Sequence, residues 1–322
     1  MARFLIRRLA FSIVLLVCTS SAALLLTRLA PGDVTAQLGP FASRAEVENT
    51  RARFDLDRSP VGQWGLWVSR AVRFDFGDSF LHNRPVGPLV IRAAANTAIL
   101  AAVALAIATL VGISLGVFTG SRRGGWLSSL VRGISIVCIS LPPLLTSLVL
   151  VFIAARTRWL PTGGMSSSSA LDLSWAGWIA DVAWHVPLPA LALALPIAAM
   201  FERLQGQSMS EAVRQPFLLA AIARGVPRSG LIWRHAWPVS IRPICAVYGL
   251  VIGALLSGSF IVEYVTAWPG IGLLMYEALR ARDVYLVAAC AAMGACFLGL
   301  GTLAGDLLLA AADPRIREGQ DA

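Results

Sequence analysis

With 57% hydrophobic and 14% charged residues and a mean hydropathy of +0.71, this chain of 322 residues is too apolar for a soluble domain of its size. It reads as an all-α polytopic membrane protein. Its formal charge is +9 and all 27 basic residues are arginine, scattered between apolar runs rather than gathered in one patch, which excludes a nucleic-acid face and points to membrane orientation.

The first apolar run, residues 9–27, follows Arg3, Arg7 and Arg8 and is long enough to cross a bilayer. It has no convincing cleavage site, so it reads as an uncleaved span rather than a signal peptide. Pro31-Gly32-Asp33 ends it with a turn. Residues 28–92 then read as a water-facing segment. Ser43 and Glu46 fit a capping box opening a helix over 44–54, and 61–72 reads as a second helix with Trp64, Trp67 and Val68 on one face. Those tryptophans fit a ligand-stacking site, an interfacial belt or the core of a small cap. Residues 74–83 read as a loop, and Pro85 opens a helix into the next span.

Span two is expected over 93–118, followed by a short loop, 119–126, with Arg122 and Arg123. Span three, 130–155, is broken by Pro142 and Pro143, a pair that kinks a helix and frees backbone carbonyls, either lining a pathway or simply bending the span. Residues 156–181 are polar and include Ser166 to Ser169, with an interfacial piece around Trp175 and Trp178. Span four is short, 184–200, and interrupted by Pro187, Pro189 and Pro196. Span five, 244–262, holds Gly249, Gly253, Ser257 and Gly258, which permit close helix packing, and Glu263 ends it. Residues 268–272 form a turn. Span six, 284–311, carries Asp306 and stops at Asp313-Pro314-Arg315. Asp306 reads as a partner for a loop arginine or as a proton-relay carboxylate. This makes six transmembrane helices. The chain divides into 1–27, the segment 28–92, a five-span core 93–312 and a tail 313–322. Pathway candidates are Pro142, Pro143, Pro196, Gly253 and Ser257.

The loop 201–243 separates spans four and five. Pro216 suits a first helical position, Phe217 to Arg224 are good helix formers, and Gly225 supplies a left-handed C-terminal residue before Pro227. Phe217, Leu218, Ala221 and Ile222 fall on one side of the short helix. A second helical piece is expected from Gly230, capped by Ser229. The pattern fits docking to a soluble partner or an interfacial helix lying on lipid. Arg203, Arg214, Arg224, Arg228, Arg234 and Arg242 face Glu202 and Glu211 in this loop, so its side is the basic one. With six spans, both termini share that side, which is cytoplasmic.

Leu219-Ala220-Ala221, Gly225 and Pro238 resemble the EAA loop of ABC importer permeases, with Leu219 in place of the motif's Glu. Arg234-His235-Ala236 is similar to the peptide/nickel branch of that family. The resemblance extends along the chain: Arg28-Leu29-Ala30-Pro31-Gly32-Asp33, Leu56-Asp57-Arg58, Phe76-Gly77-Asp78-Ser79, Arg84-Pro85-Val86, Trp159-Leu160-Pro161-Thr162-Gly163 and Trp268-Pro269-Gly270-Ile271-Gly272. It points to the B-type subunit of dipeptide, oligopeptide and nickel importers. That resemblance implies a type I (MetI-like) permease fold in a bacterial inner membrane. It also implies a second homologous permease, two ABC ATPase subunits and an extracytoplasmic substrate-binding protein as partners, besides membrane lipid.

On this resemblance Phe217, Leu218, Leu219, Ala220, Ala221, Ile222, Arg224 and Gly225 form the ATPase-coupling helix. No Walker GxxxxGK[ST] sequence is present, so ATP and Mg belong to the partner subunits and this chain binds no cofactor. The branch handles peptides, nickel complexes, glutathione and some sugars. A secondary transporter would need inverted repeats and a midplane ion site. An intramembrane enzyme would need a nucleophile and base, or metal ligands, within the spans. The five cysteines make no CxxC spacing and the three histidines are far apart, so neither a metal site nor a catalytic constellation is visible.

Overall fold

A computed structural model describes residues 2–30, 35, 43–121, 125–167 and 173–312. The expected turn at Pro31–Asp33, Arg122 and Arg123, Ser168 and Ser169, and the stop at Asp313–Arg315 lie outside the described residues. Among the described residues, five helices are long and apolar enough to cross a membrane: Ile6–Leu29, Val86–Ser121, Pro187–Ala212, Arg242–Val265 and Val284–Leu307. A sixth crossing exists only if the pair Trp126–Ser140 and Pro143–Thr157, bent by 108°, counts as one span.

That pair shows the expected break at Pro142 and Pro143, and it is sharper than a kink. Leu141 is extended (ψ 121°) and Pro142 has φ −59°, ψ 146°, so two residues leave the helical region before Pro143 restarts it. A proline disfavours the α conformation in the residue before it, and here two such restrictions act in succession. The outcome is a break rather than a bend.

The chain forms two compact units. One comprises Ala2–Ala98 and Pro269–Gly299. Here α1 (Ala2–Leu29), α2 (Arg44–Arg53) and α3 (Pro60–Ala71) are followed by a hairpin of β1 (Asp78–Ser79) and β2 (Arg84–Pro85), in which Ser79 pairs with Arg84. Trp67 is buried, and Trp64 donates its indole N–H to Ser21 Oγ at 2.7 Å, fastening α3 to α1. These tryptophans therefore form a packed cap. The capping box at Ser43 and Glu46 is present.

The start of α4 (Val86–Ser121), α14 (Ile271–Ala281) and the start of α15 (Val284–Ala312) complete this unit. Thr97 Oγ1 accepts the Ile271 N–H, one of the donors that a helix start leaves unsatisfied. Buried Asp283 precedes α15; its carboxylate accepts Ser79 Oγ–H at 2.7 Å and the Leu81 and Leu286 N–H groups at 3.2 Å.

The other unit comprises Ile99–Trp268 and Leu300–Ala322. It holds the rest of α4, α5 (Trp126–Ser140), α6 (Pro143–Thr157), α7 (Trp175–His185) and α8 (Pro187–Ala212), then the short helices of the loop, α12 (Arg242–Gly258), α13 (Phe260–Val265) and the end of α15. Helix α8 is its axis. Ala190, Ala194 and Phe201 on it are fully buried, with Ala104 and Ala108 of α4 in the same core.

Gly112, Gly116 and Gly120 permit α4 to lie against α8. A Cβ at these positions would stand 2.4, 2.8 and 2.3 Å from the carbonyl oxygens of Ala198, Glu202 and Gly206. Phe201 stacks on Tyr248 at 5.8 Å, and the Tyr248 hydroxyl shares a 2.7 Å hydrogen bond with Thr109.

Two expected boundaries move. Span four is not a short helix ending at 200: α8 continues to Ala212. Pro187 and Pro189 sit in its first turn, where no donor is missed, and Pro196 is accommodated within it. Gln205, Gly206, Met209 and Ala212 then keep a buried face going beyond the charged residues. Span five does not end at Glu263, which is buried inside α13 and accepts the Ser259 hydroxyl at 2.6 Å.

Candidate functional site: the loop helix

Helix α9 (Pro216–Ala223) is set by its ends. Gln215 is extended, Pro216 takes the first helical position, and Arg224 is the C-cap. Gly225 has φ +76°, as expected from its place in the sequence. Its N–H reaches Ile222 O at 2.9 Å, and the Val226 N–H reaches Ala221 O at 3.2 Å. These two bonds are a Schellman closure, and they require the left-handed residue that glycine supplies most cheaply.

The apolar stripe divides. Leu218 (2% exposed) and Ala221 (0%) point into the chain, Leu218 in a cluster with Val117, Met209, Ala212 and Ala236. Phe217, Leu219 and Ile222 are 42%, 58% and 52% exposed, and Ala220, Arg224 and Gly225 are exposed as well. Leu218 and Ala221 are thus anchors, whereas the sequence placed all eight residues on the coupling contact. An i, i+3 pair on so short a helix is enough to hold it down, and the remaining face stays open.

Beyond α9 the expected Ser229 cap is absent. Helix α10 (Arg228–Gly230) has Pro227 at its N-cap and leads into a π-helical turn, Leu231–Ala236, and then α11 (Trp237–Ser240). The wide turn contains the Arg234-His235-Ala236 sequence and brings Ala236 into the anchor cluster. Arg228 Nη2 donates to Ser121 O at 3.3 Å, and Gln205 Nε2 donates to Ser240 Oγ at 2.9 Å. The loop is fastened to the ends of α4 and α8.

Residues 112–318 match the family model described as binding-protein-dependent transport system inner membrane component. The chain belongs to this family. It is 32% identical over 323 residues to a protein of Brucella suis biovar 1 whose assigned name is that of a peptide permease, covering 98% of this chain and 99% of that one. It is 28% identical over 319 residues to the oligopeptide transport system permease protein AppB of Bacillus subtilis, with 98% and 99% covered. An inward-facing structure of the MetNI methionine ABC transporter has a chain that superposes with a TM-score of 0.54 at 16% identity, covering 70% of this chain and 96% of that chain. That likeness establishes a shared fold. The protein is accordingly a multi-pass inner-membrane transport component of the MetI-like fold.

Within this family fold the pathway candidates lie on three separate elements, the start of α6, α8 and α12. Pro142 and Pro143 are exposed at the α5–α6 break, and Pro196 is half-buried within α8. Gly253 is a packing position: a Cβ on Gly301 would meet the Gly253 nitrogen at 2.5 Å. With the neighbouring helix against its backbone, Gly253 has nothing to present to a solute. Exposed Ser257 turns its hydroxyl back to Gly253 O at 2.7 Å.

One residue escaped the sequence reading. Glu202, counted there among loop charges, is 1% exposed inside α8. The signal available was its position next to Phe201 in an unbroken helix-forming stretch, obscured by ending the span at 200.

Proposed function

We propose that this chain is the translocating subunit of an ATP-driven importer for di- or oligopeptides. A binding protein delivers the substrate outside the cell, and ATPase subunits drive the cycle from inside. The transmembrane pathway is shared with a second, homologous permease. The observation that carries the coupling role is α9, whose outer face, Phe217, Leu219, Ala220, Ile222 and Arg224, is exposed while Leu218 and Ala221 tie it to the core. The names of the full-length relatives support peptides as cargo.

The mechanical logic follows from the anchors. A force applied to the open face passes through Leu218 to Val117 of α4, Met209 of α8 and Ala236 of the π-turn. ATPase closure shifts the transporter only to the extent that it binds two conformations with different affinity. The tight α4–α8 contact makes those helices move as one body, because glycine–carbonyl packing leaves no slack. The arginine-rich loop and both termini lie in the cytoplasm on this reading. ATP and Mg are held by the ATPase subunits, and specificity resides largely in the binding protein.

Cross-linking in membranes containing the whole complex tests the assignment. A cysteine at Leu219 should form an adduct with an ATPase subunit, and one at exposed Val72 should not. Labelling of the Leu219 cysteine from the external face, without any ATPase adduct, would remove the proposal.

A further inference from the structure

Between α5 and the second half of α8 lies a cavity of about 680 Å³, inside the roughly 300–1,000 Å³ range of small-molecule sites. Ile136, Ile139 and Met200 give it apolar walls. At its buried side stands Glu202. Its Oε1 accepts the Thr119 hydroxyl at 2.6 Å; its Oε2 is buried and has no partner among the described residues. Arg132, Arg203 and Arg214 also line the cavity, as does Glu211, and all four are exposed. Arg132 donates to Thr119 O at 2.9 Å rather than to the carboxylate. The cavity is therefore negative at its buried end, and at its exposed rim three arginines outnumber the one carboxylate of Glu211.

A buried carboxylate left half-satisfied calls for a donor with positive charge. Among the described residues no cluster of three His, Cys, Asp or Glu side chains could hold a metal ion, and at the buried end one carboxylate with one hydroxyl is too small a set for a divalent cation. A primary ammonium fits better: it is compact, donates several hydrogen bonds and tolerates apolar surroundings beside it. The arginines at the mouth then face an anionic end.

We propose that this cavity is a subsite on the translocation route for the free amino terminus of a zwitterionic, peptide-like solute. Glu202 supplies the counter-charge, Thr119 positions it, and the arginines face the carboxylate end. The assignment to a route rests on the importer reading above; the charge preference of the cavity does not.

The test uses the assembled complex in proteoliposomes, with native cysteines replaced by serine and Ile136→Cys on the cavity wall. Labelling rates are compared for cationic 2-(trimethylammonium)ethyl methanethiosulfonate and anionic 2-sulfonatoethyl methanethiosulfonate. Glu202→Gln, which keeps the shape, should lower the cation-to-anion ratio by about ten-fold or more, as loss of a nearby unit charge in a low-dielectric cavity requires. In the parent, millimolar L-alanyl-L-alanine should slow cationic labelling and its N-acetyl derivative should not. A ratio unmoved by Glu202→Gln, as for a carboxyl that is simply protonated, overturns the proposal. So does a free peptide that protects no better than the acetylated one. ATP hydrolysis stimulated by loaded binding protein is measured in the same vesicles; its absence from the parent sinks the importer reading and leaves the charge preference standing.

Discussion

Gly249 of α12 and Gly305 of α15 meet backbone to backbone: a Cβ built on Gly249 would stand 2.4 Å from the Gly305 Cα, and the reverse contact would be 2.2 Å. Gly301 and Gly253 repeat the contact one turn away. In a membrane, where apolar side chains gain little by leaving lipid for one another, such close approach is a main source of helix association.

Gly249→Ala should therefore destabilise the protein by about 1–3 kcal/mol, the usual cost of overpacking. Gly258→Ala, at the end of the same helix with nothing within 4 Å of the added carbon, is the control and should leave stability nearly unchanged. Thermal unfolding in detergent distinguishes them. Equal melting temperatures for the two variants would show that α12 and α15 are not locked at this point.

The two faces of α9 should separate stability from coupling. Leu218→Ala empties a buried site and is expected to cost about 2–5 kcal/mol. Ile222→Glu lies on the open face, where Ile222 is 52% exposed, and should change stability by no more than about 0.5 kcal/mol, yet abolish ATPase co-purification. Retention of ATPase binding by Ile222→Glu, in a well-folded complex, would place the docking surface elsewhere.

Gly225 matters for its backbone rather than for crowding. No atom lies within 4 Å of a Cβ built there, but φ is +76°. Gly225→Ala should cost about 1–2 kcal/mol of local strain and loosen the Schellman closure. Gly225→Asp adds a charge beside the open face and should abolish uptake while the protein still reaches the membrane. Uptake assays paired with membrane immunoblots give the answer; normal transport by Gly225→Asp argues against α9 as the coupling element.

Acid should loosen α2. The Glu46 carboxyl is held below its ordinary pKa chiefly by the Ser43 backbone N–H and then by the Ser43 hydroxyl. A depressed carboxyl pKa stabilises the folded form above the unfolded value, and the gain disappears as pH falls through the folded one. Helix α2 buries none of its own residues. Hydrogen exchange of residues 44–53, corrected for the intrinsic pH dependence of amide exchange, should show weaker protection below the normal glutamate range than at neutral pH. Identical corrected protection would mean that the capping box does not control this helix.

Local chemistry was legible in the chain itself. Pro216 and Gly225 announce where α9 begins and turns back, because one cannot donate and the other tolerates positive φ. Ser43 and Glu46 announce α2 for a similar short-range reason. Apolar length announced most of the spans, since each must hide its own backbone from lipid. What required the tertiary structure was direction and partnership. Nothing in the stripe Phe217, Leu218, Ala221, Ile222 says which members turn inward; for Leu218, Val117, remote in sequence, decides it together with Met209 and Ala236. Pro142 and Pro143 predict disturbance, but not a 108° break. Gly253 is as compatible with a pathway as with packing until Gly301 lies against it. Glu202 looks like a solvated loop charge until α8 continues past it and α4 covers it. Short-range rules act on neighbours along the chain, whereas burial depends on helices brought together from far apart in it.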